Sequence, residues 1–281
     1  MDLSKMMSDG EFAKLRAVVY AQTGISIGDA RRSLLVSRLR PRMRELGLSS
    51  YKEYLARVDQ DPAEKQQLTN CVTTNETYFY RTPRVWSYFN DVFVSGFIAK
   101  ERKRAIRVWS AAASTGEEAH TAGVFLEEVR QRAGGFDYSI LGTDISSRVI
   151  DVATAGIYKG RPIARFRKEN PEIFTRQMTG SDEMGWSVAP QISSRIRFQQ
   201  HNLLKALTST APFDVIFLRN VLIYFKAEDQ QQILRNVRSV LHPEGVLFIG
   251  ESESLKHMAT DFEQIEPIIY RPTRRLGEAL A

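Results

Sequence analysis

The order of apolar and polar positions changes character about a third of the way along the chain. In the first third, apolar residues recur every three or four positions, the period of a helix with one buried face. Phe12, Leu15, Val18 and Val19 follow that spacing behind the capping residues Ser8-Asp9-Gly10-Glu11, and Thr23-Gly24-Ile25 ends the run. A second segment, Arg31 to Leu46, places Leu34, Leu35, Leu39, Met43 and Leu46 on its apolar side, with Gly47 as its stop. Pro41 lies inside it and is expected to bend or interrupt the helix, because proline lacks the N–H and its ring meets the preceding turn. Ser49-Ser50 opens a third helix through Tyr51, Tyr54, Leu55 and Val58. Asp61-Pro62 breaks it, and a fourth helix runs to about Val72.

From Arg104 onward, short apolar runs alternate with helical periods. Arg107 to Ser110, Tyr138 to Thr143, Phe213 to Leu218 and Gly245 to Gly250 read as buried strands. Helices are predicted from Glu117, over Ser146 to Ala155, and over Gln230 to Leu241. Strands alternating with helices predict a parallel, doubly wound sheet of Rossmann-like α/β class. Tyr158 to Phe198 fits neither pattern and is rich in glycine and proline. Trp186-Ser187-Val188 and Arg195 to Phe198 are expected as short antiparallel strands of an insertion subdomain, with Trp186 in its small core. The organisation expected is an all-α domain over 1–80, a linker over 81–103, and an α/β domain over 104–281 with an antiparallel β insertion at about 158–198.

Composition adds limits. The chain has 281 residues, of which 43% are hydrophobic and 26% charged, a globular balance that supports one large domain or two. Its single cysteine, Cys71, forms no intramolecular disulfide, which suits a reducing compartment. Met1 to Gly10 lacks the apolar core of a signal peptide, and no run approaches the ~20 apolar residues of a membrane span. A cytoplasmic protein without direct membrane insertion is expected. The net charge of +6 leaves open an acidic partner or a modest solvated excess. His201, His242 and His257 have no ligand spacing with Cys71 or with clustered acids, so no metal site is expected.

The candidate chemistry begins at Val108 to Glu118. A strand runs into small residues, one glycine (Gly116), and a helix that starts with Glu117-Glu118. Ligands of a doubly wound sheet sit beyond the carboxyl ends of its strands. A dinucleotide site would show three glycines and a phosphate at the helix N-terminus. Two carboxylates here repel phosphate and suit a ligand with ammonium and sulfonium charges, such as S-adenosylmethionine. The alternative is that both merely complement the helix dipole. Asp144 ends the next strand, where a carboxylate can accept two ribose hydroxyls, cap the following helix, or do both. Leu241-His242-Pro243-Glu244-Gly245 is physically a tight turn before the last of these strands.

With these residues in view, the chain resembles the CheR-type chemotaxis receptor methyltransferases. The resemblance is carried by Thr73-Thr74-Asn75-Glu76-Thr77-Tyr78-Phe79-Tyr80-Arg81, by Val108 through Glu118, by Asn202-Leu203-Leu204, and by Phe213 through Phe225, which includes Arg219-Asn220-Val221-Leu222-Ile223-Tyr224-Phe225. It covers nearly the whole chain. It implies a bacterial protein-glutamate O-methyltransferase of signal transduction. Such an enzyme transfers methyl groups from S-adenosyl-L-methionine to glutamates on the cytoplasmic helical signalling domains of methyl-accepting receptors, leaving S-adenosyl-L-homocysteine.

The same resemblance implies residue roles. Asn75, Thr77 and Arg81 would line the cofactor site from the linker side, Glu118 would hold the methionine amino group, and Asp144 the ribose. Asn202 and Leu203 would lie at the adenine, and Arg219 and Asn220 would close the site. Arg81 and Tyr224 would flank the methyl group as catalytic residues; the alternatives are an ion pair between Arg81 and Glu118 or another acid, and core packing for Tyr224. The acid-free stretch Arg31 to Arg44 puts Arg31, Arg38 and Arg42 near one helical face, where the family meets acidic receptor helices; the alternative is a solvated face. Nucleic acid is not the expected partner, because no aromatic residues interleave these arginines. A methyltransferase of the same fold with another substrate, and a cofactor-sensing scaffold without catalysis, remain the rival readings.

Overall fold

The computed structural model describes residues 7–100, 104–133, 136–208 and 211–273. Four helices come first: α1 (Asp9–Thr23), α2 (Arg32–Glu45), α3 (Tyr51–Gln60) and α4 (Pro62–Val72). Their caps follow from the sequence. Ser8 and Glu11 satisfy each other's backbone N–H groups at the start of α1, and Ser50 and Glu53 do the same at α3. Asp61 caps α4, and Pro62 occupies its first turn, where a missing N–H loses no helical bond. Gly24, in the left-handed conformation, closes α1.

Helix α2 runs through Pro41 without interruption. Leu35 and Leu39 before the proline and Met43 after it are all buried in the helical core, so packing holds the helix across the lost bond. The arginines of α2 also differ from expectation. Arg42 does not face outward: its guanidinium donates to both oxygens of buried Glu64, at 3.0 Å from Nε and 2.5 Å from Nη2. Arg38 donates to the carbonyls of Val72 (3.1 Å) and Thr73 (2.8 Å), at the end of α4 where backbone acceptors lack helical partners. Both side chains therefore fasten α2 to α4. Arg31 precedes α2, in a short 3-10 turn over Asp29–Arg31.

Residues expected as a linker are largely helical. α5 (Pro83–Ser87), a π-helical turn (Tyr88–Val94) and α6 (Ser95–Ala99) bury Val85, Trp86, Phe89, Val94 and Phe97 in the core of the α/β part. The two apolar cores divide earlier, between Val72 and Phe79. There follow β1 (Ile106–Ser110), α7 (Glu117–Ala133), β2 (Tyr138–Asp144) and α8 (Ser147–Ala155). Then come α9 (Arg161–Glu169), α10 (Pro171–Gln177), β3 (Met178–Ser181), β4 (Gly185–Val188) and α11 (Pro190–Ser193). The chain ends with β5 (Ile196–Gln200), β6 (Phe213–Leu218), α12 (Ala227–Val240), β7 (Leu241–Ile249), β8 (Phe262–Glu266) and β9 (Ile269–Pro272).

The main sheet has the order β5-β2-β1-β6-β7-β9-β8. The first five strands are parallel, and β9 and β8 close the sheet antiparallel. The order reverses between β1 and β6, which opens a crevice beyond their carboxyl ends. Residues Arg195 to Phe198, expected as an antiparallel strand of the insertion, instead contribute to β5, a parallel edge strand beside β2. Their polar outer face suits an edge position. The insertion is thus smaller: α9, α10, the antiparallel pair β3–β4 and the single turn α11. Trp186 is half-buried there, with its ring 4.9 Å from Phe174 and 5.3 Å from the Arg167 guanidinium. The expected turn at Leu241 to Gly245 is an irregularity in β7: Leu241 pairs with Phe213, and pairing resumes at Val246 with Val215.

The position of Arg42 yields a test. Arg42→Ala leaves Glu64 buried without its cation, which costs about 2–3 kcal/mol, less than for a fully dry pair because Arg42 is partly solvated. Thermal and urea unfolding should show this loss. Unchanged stability with a raised KM for an acidic acceptor would return Arg42 to a binding role.

Candidate active site

The crevice at the strand reversal is an open cleft lined by residues of both the helical part and the sheet. It lies between the helical part and the sheet. Of the residues singled out in the sequence, Asn75, Thr77, Arg81, Glu118, Asp144, Asn202, Leu203, Arg219, Asn220, Tyr224 and Arg31 all line it. Arg38 and Arg42 do not.

At its floor, β1, α7 and β6 meet in one ion pair, of which Arg219 is buried and Glu118 partly exposed. Arg219 Nη1 donates to Glu118 Oε2 at 2.9 Å, and Ser110 Oγ donates to Glu118 Oε1 at 2.7 Å. Arg219 Nη2 donates to the Arg81 carbonyl at 3.0 Å, while its buried Nε has no acceptor among the described residues. The Arg219 side chain is only 2% exposed, so its charge depends on these partners. Asp144 is buried at the end of β2 and accepts the N–H groups of Ser114 and Ser146, each at 3.0 Å. It therefore holds the start of α8 and still presents lone pairs toward the cleft. Burial raises its pKa, and the backbone hydrogen bonds oppose that shift.

The loop after β1 uses its residues differently from a phosphate-binding loop. Ala111, Ala112 and Ser114 line the cleft. Gly116 (φ +95°) faces the other way: a Cβ there would lie 2.8 Å from the Ala153 methyl and 2.9 Å from the Tyr158 hydroxyl. The glycine serves contact with α8, not approach of a ligand. Behind it, His120 Nδ1 lies 2.9 Å from the Gly116 carbonyl and 2.9 Å from the Tyr158 hydroxyl, which donates to the Thr115 carbonyl at 2.7 Å. Glu117 is buried beside them, and burial raises its pKa.

Arg81 sits between two residues in the left-handed region, Tyr80 (φ 61°) and Thr82 (φ 62°). Such backbone is costly for a β-branched residue and persists only where neighbours over-determine it. They do so here. Thr121 Oγ1 accepts the Tyr80 N–H, Thr82 Oγ1 donates to Glu251, and Trp86 Nε1 and Arg219 both donate to the Arg81 carbonyl. The Arg81 guanidinium donates to the Glu76 carbonyl at 3.0 Å and lies 5.8 Å from the Tyr78 ring. Among the described residues it pairs with no acid, so the ion-pair alternative falls to Arg219 instead. Tyr224 is half-buried while Leu222 supplies the core contact of that turn. The Tyr224 ring lies 4.9 Å from the Arg31 guanidinium, and its carbonyl accepts the Ser26 N–H.

Asn202 is partly committed. It donates to the Gln22 carbonyl at 3.2 Å and accepts the Leu204 N–H at 3.0 Å, joining the two parts of the chain. Sequence reasoning missed Thr23, Ile25 and His201, which also line the cleft. Thr23 and Ile25 looked like a helix end, and only docking of α1 against the sheet brings them there. His201 lacks the spacing of a metal ligand, and its position directly before Asn202 is the signal that ties it to the cleft.

A Rossmann-like sheet with acids at the ends of two neighbouring strand–loop units, an all-α N-terminal part and a cleft between them defines an S-adenosylmethionine-dependent methyltransferase. The CheR methyltransferase SAM-binding domain model matches residues 75–270, and the CheR methyltransferase all-alpha domain model matches residues 10–73. The chain belongs to the CheR methyltransferase family. It is 34% identical over 265 residues to chemotaxis protein methyltransferase 2 of Pseudomonas aeruginosa, covering 93% of this chain and 92% of that one. It is 34% identical over 259 residues to the chemotaxis protein methyltransferase of Escherichia coli K12, covering 91% and 88%. It is 32% identical over 273 residues to chemotaxis protein methyltransferase 1 of Vibrio cholerae, covering 94% and 98%.

The buried histidine predicts a pH dependence. Burial pushes the His120 pKa down from 6.5 to about 4. Between those values the unfolded chain binds a proton that the folded one refuses, so stability is lost as pH falls through this window. Glu117 and Asp144, with raised pKa values, contribute with the opposite sign. Comparison by difference isolates the histidine: His120→Gln should flatten the loss of urea midpoint between about pH 7 and about pH 5. Equal slopes in the two proteins would remove His120 as its source.

Proposed function

We propose that the protein methylates glutamate side chains on the helical signalling domains of chemoreceptors, in the cytoplasm, forming glutamate methyl esters for signal adaptation. The observation that carries this reading is Arg81: a cation at the cleft, held by strained and heavily bonded backbone, with no acid paired to it among the described residues. It suits a carboxylate acceptor. The described residues contain no helix long and apolar enough to cross a membrane, which agrees with a receptor modified from the aqueous side.

The cleft chemistry fits S-adenosylmethionine, which supplies a methyl group activated on a sulfonium. Glu118 and Arg219, an anion and a cation side by side, match the ammonium and carboxylate of an amino acid. Asp144 accepts the ribose hydroxyls with the lone pairs its backbone bonds leave free. Leu203 and Asn202 border the adenine, Asn75 and Thr77 line the cleft from the linker side, and Asn220 closes the site. A glutamate side chain is ionised near neutral pH, so no general base is needed. Arg81 orients that carboxylate through its fork of donors, and Tyr224 fixes one oxygen with its hydroxyl. Arg31, stacked on Tyr224, faces the same opening and attracts an acidic helix.

Incubation with labelled cofactor and receptor cytoplasmic fragments should give label that alkali releases. Alkali-stable label would sink the ester reading. Arg81→Ala should lower kcat/KM by about 30- to 100-fold, the loss of one charge-assisted contact to the acceptor. Glu118→Gln should weaken binding of S-adenosylhomocysteine by about tenfold in calorimetry. Wild-type values in either variant would remove that residue from its role.

A further inference from the structure

Glu253 stands outside the cleft yet holds one of its walls. Its carboxylate accepts four backbone N–H groups. Oε1 takes those of Val221 and Leu222, each at 2.8 Å; Oε2 takes those of Asn220 at 2.8 Å and Gly250 at 2.6 Å. Glu253 is buried, and among the described residues no cation pairs with it. Converging amides replace the water that a buried carboxylate loses.

Three consecutive amides reach one carboxylate because Asn220 adopts the left-handed conformation (φ 57°), which turns successive N–H groups to the same side. Gly250 makes the approach possible. A Cβ there would lie 2.6 Å from Asn220 Nδ2, 2.6 Å from Glu253 Oε2 and 2.7 Å from Asn220 N. The segment fixed in this way carries Arg219, Asn220 and Tyr224 into the cleft wall.

We infer that Glu253 is a positioning residue for methyl transfer: an internal anion that fixes the loop from Arg219 to Tyr224, and through it the partner of Glu118 and the tyrosine on the acceptor side. This rests on the reading of the cleft given above. Glu253 itself does not line the cleft. Its contribution is conformational, and it depends on charge: an amide of equal volume would turn an NH₂ group toward backbone donors.

The test uses the full chain with Glu253→Gln, Glu253→Asp and Gly250→Ala. Glu128→Gln serves as a control, since Glu128 is also buried but belongs to a network with Arg176 and Gln177 away from the cleft. Melting temperature, Kd for S-adenosylhomocysteine, kcat and KM are measured below the melting point of each variant. Glu253→Gln should raise the Kd about tenfold and lower kcat about 10- to 100-fold, with Glu253→Asp recovering part of both. Glu128→Gln should lower the melting temperature while leaving Kd and kcat at parental values. Should Glu253→Gln fail to fold, Gly250→Ala displaces the loop from the other side and should give the same pattern. The inference is overturned if Glu253→Gln, or Gly250→Ala in its place, lowers only the melting temperature, or if Glu128→Gln lowers kcat as much. The calorimetric readings need no acceptor, so they remain decisive even if the receptor reading fails.

Discussion

A guanidinium buried at the end of a parallel sheet must find a partner, and in this protein Arg219, just past β6, finds Glu118 on α7 across the point where the strand order reverses. The two residues are distant in sequence but meet because β1 and β6 are neighbours. Ser110 at the end of β1 and the carbonyl of Arg81 complete the set, so four segments converge on one charge pair. The penalty for burying either charge alone is several kcal/mol. The cleft floor is therefore rigid, and the linker residue Arg81 is fixed relative to the sheet.

Strain is concentrated around this floor. Of the five non-glycine residues with positive φ among those described, Tyr80, Thr82, Ser114 and Asn220 flank or line the cleft; only Ile268 lies elsewhere. Each is restrained by hydrogen bonds or tight packing from other elements, as Glu253 restrains Asn220. Unfavourable backbone conformations survive where surrounding structure outweighs them, and here they cluster around one space.

The helical part forms a wall of that space and is fastened to it. Ser26 bonds the Tyr224 carbonyl, Asn202 bonds Gln22, and Asn70 on α4 bonds Ser146 and Ser147 at the start of α8. Two arginines of α2, Arg38 and Arg42, are committed to holding it against α4. Of the three arginines that looked like a recognition face, only Arg31 reaches the cleft.

By itself, the sequence determined the capped starts of α1, α3 and α4, the alternation of strands and helices along most of the α/β part, and which residues carry candidate chemistry. Those are local matters: a cap is satisfied within three residues, and a strand's burial shows in its apolar run. It also held enough motif to place Glu118, Asp144 and Arg219 at one site. Tertiary structure decided partnership. Whether Arg81 or Arg219 pairs with Glu118, whether Arg42 meets a receptor or Glu64, and whether Ile196 to Gln200 joins the insertion or the main sheet all depend on which distant segment lies nearest. Charge and periodicity look alike in either case. The physical reason is that a buried charge or a strand edge is satisfied by whatever partner the fold brings within about 3 Å, and that distance is not encoded locally.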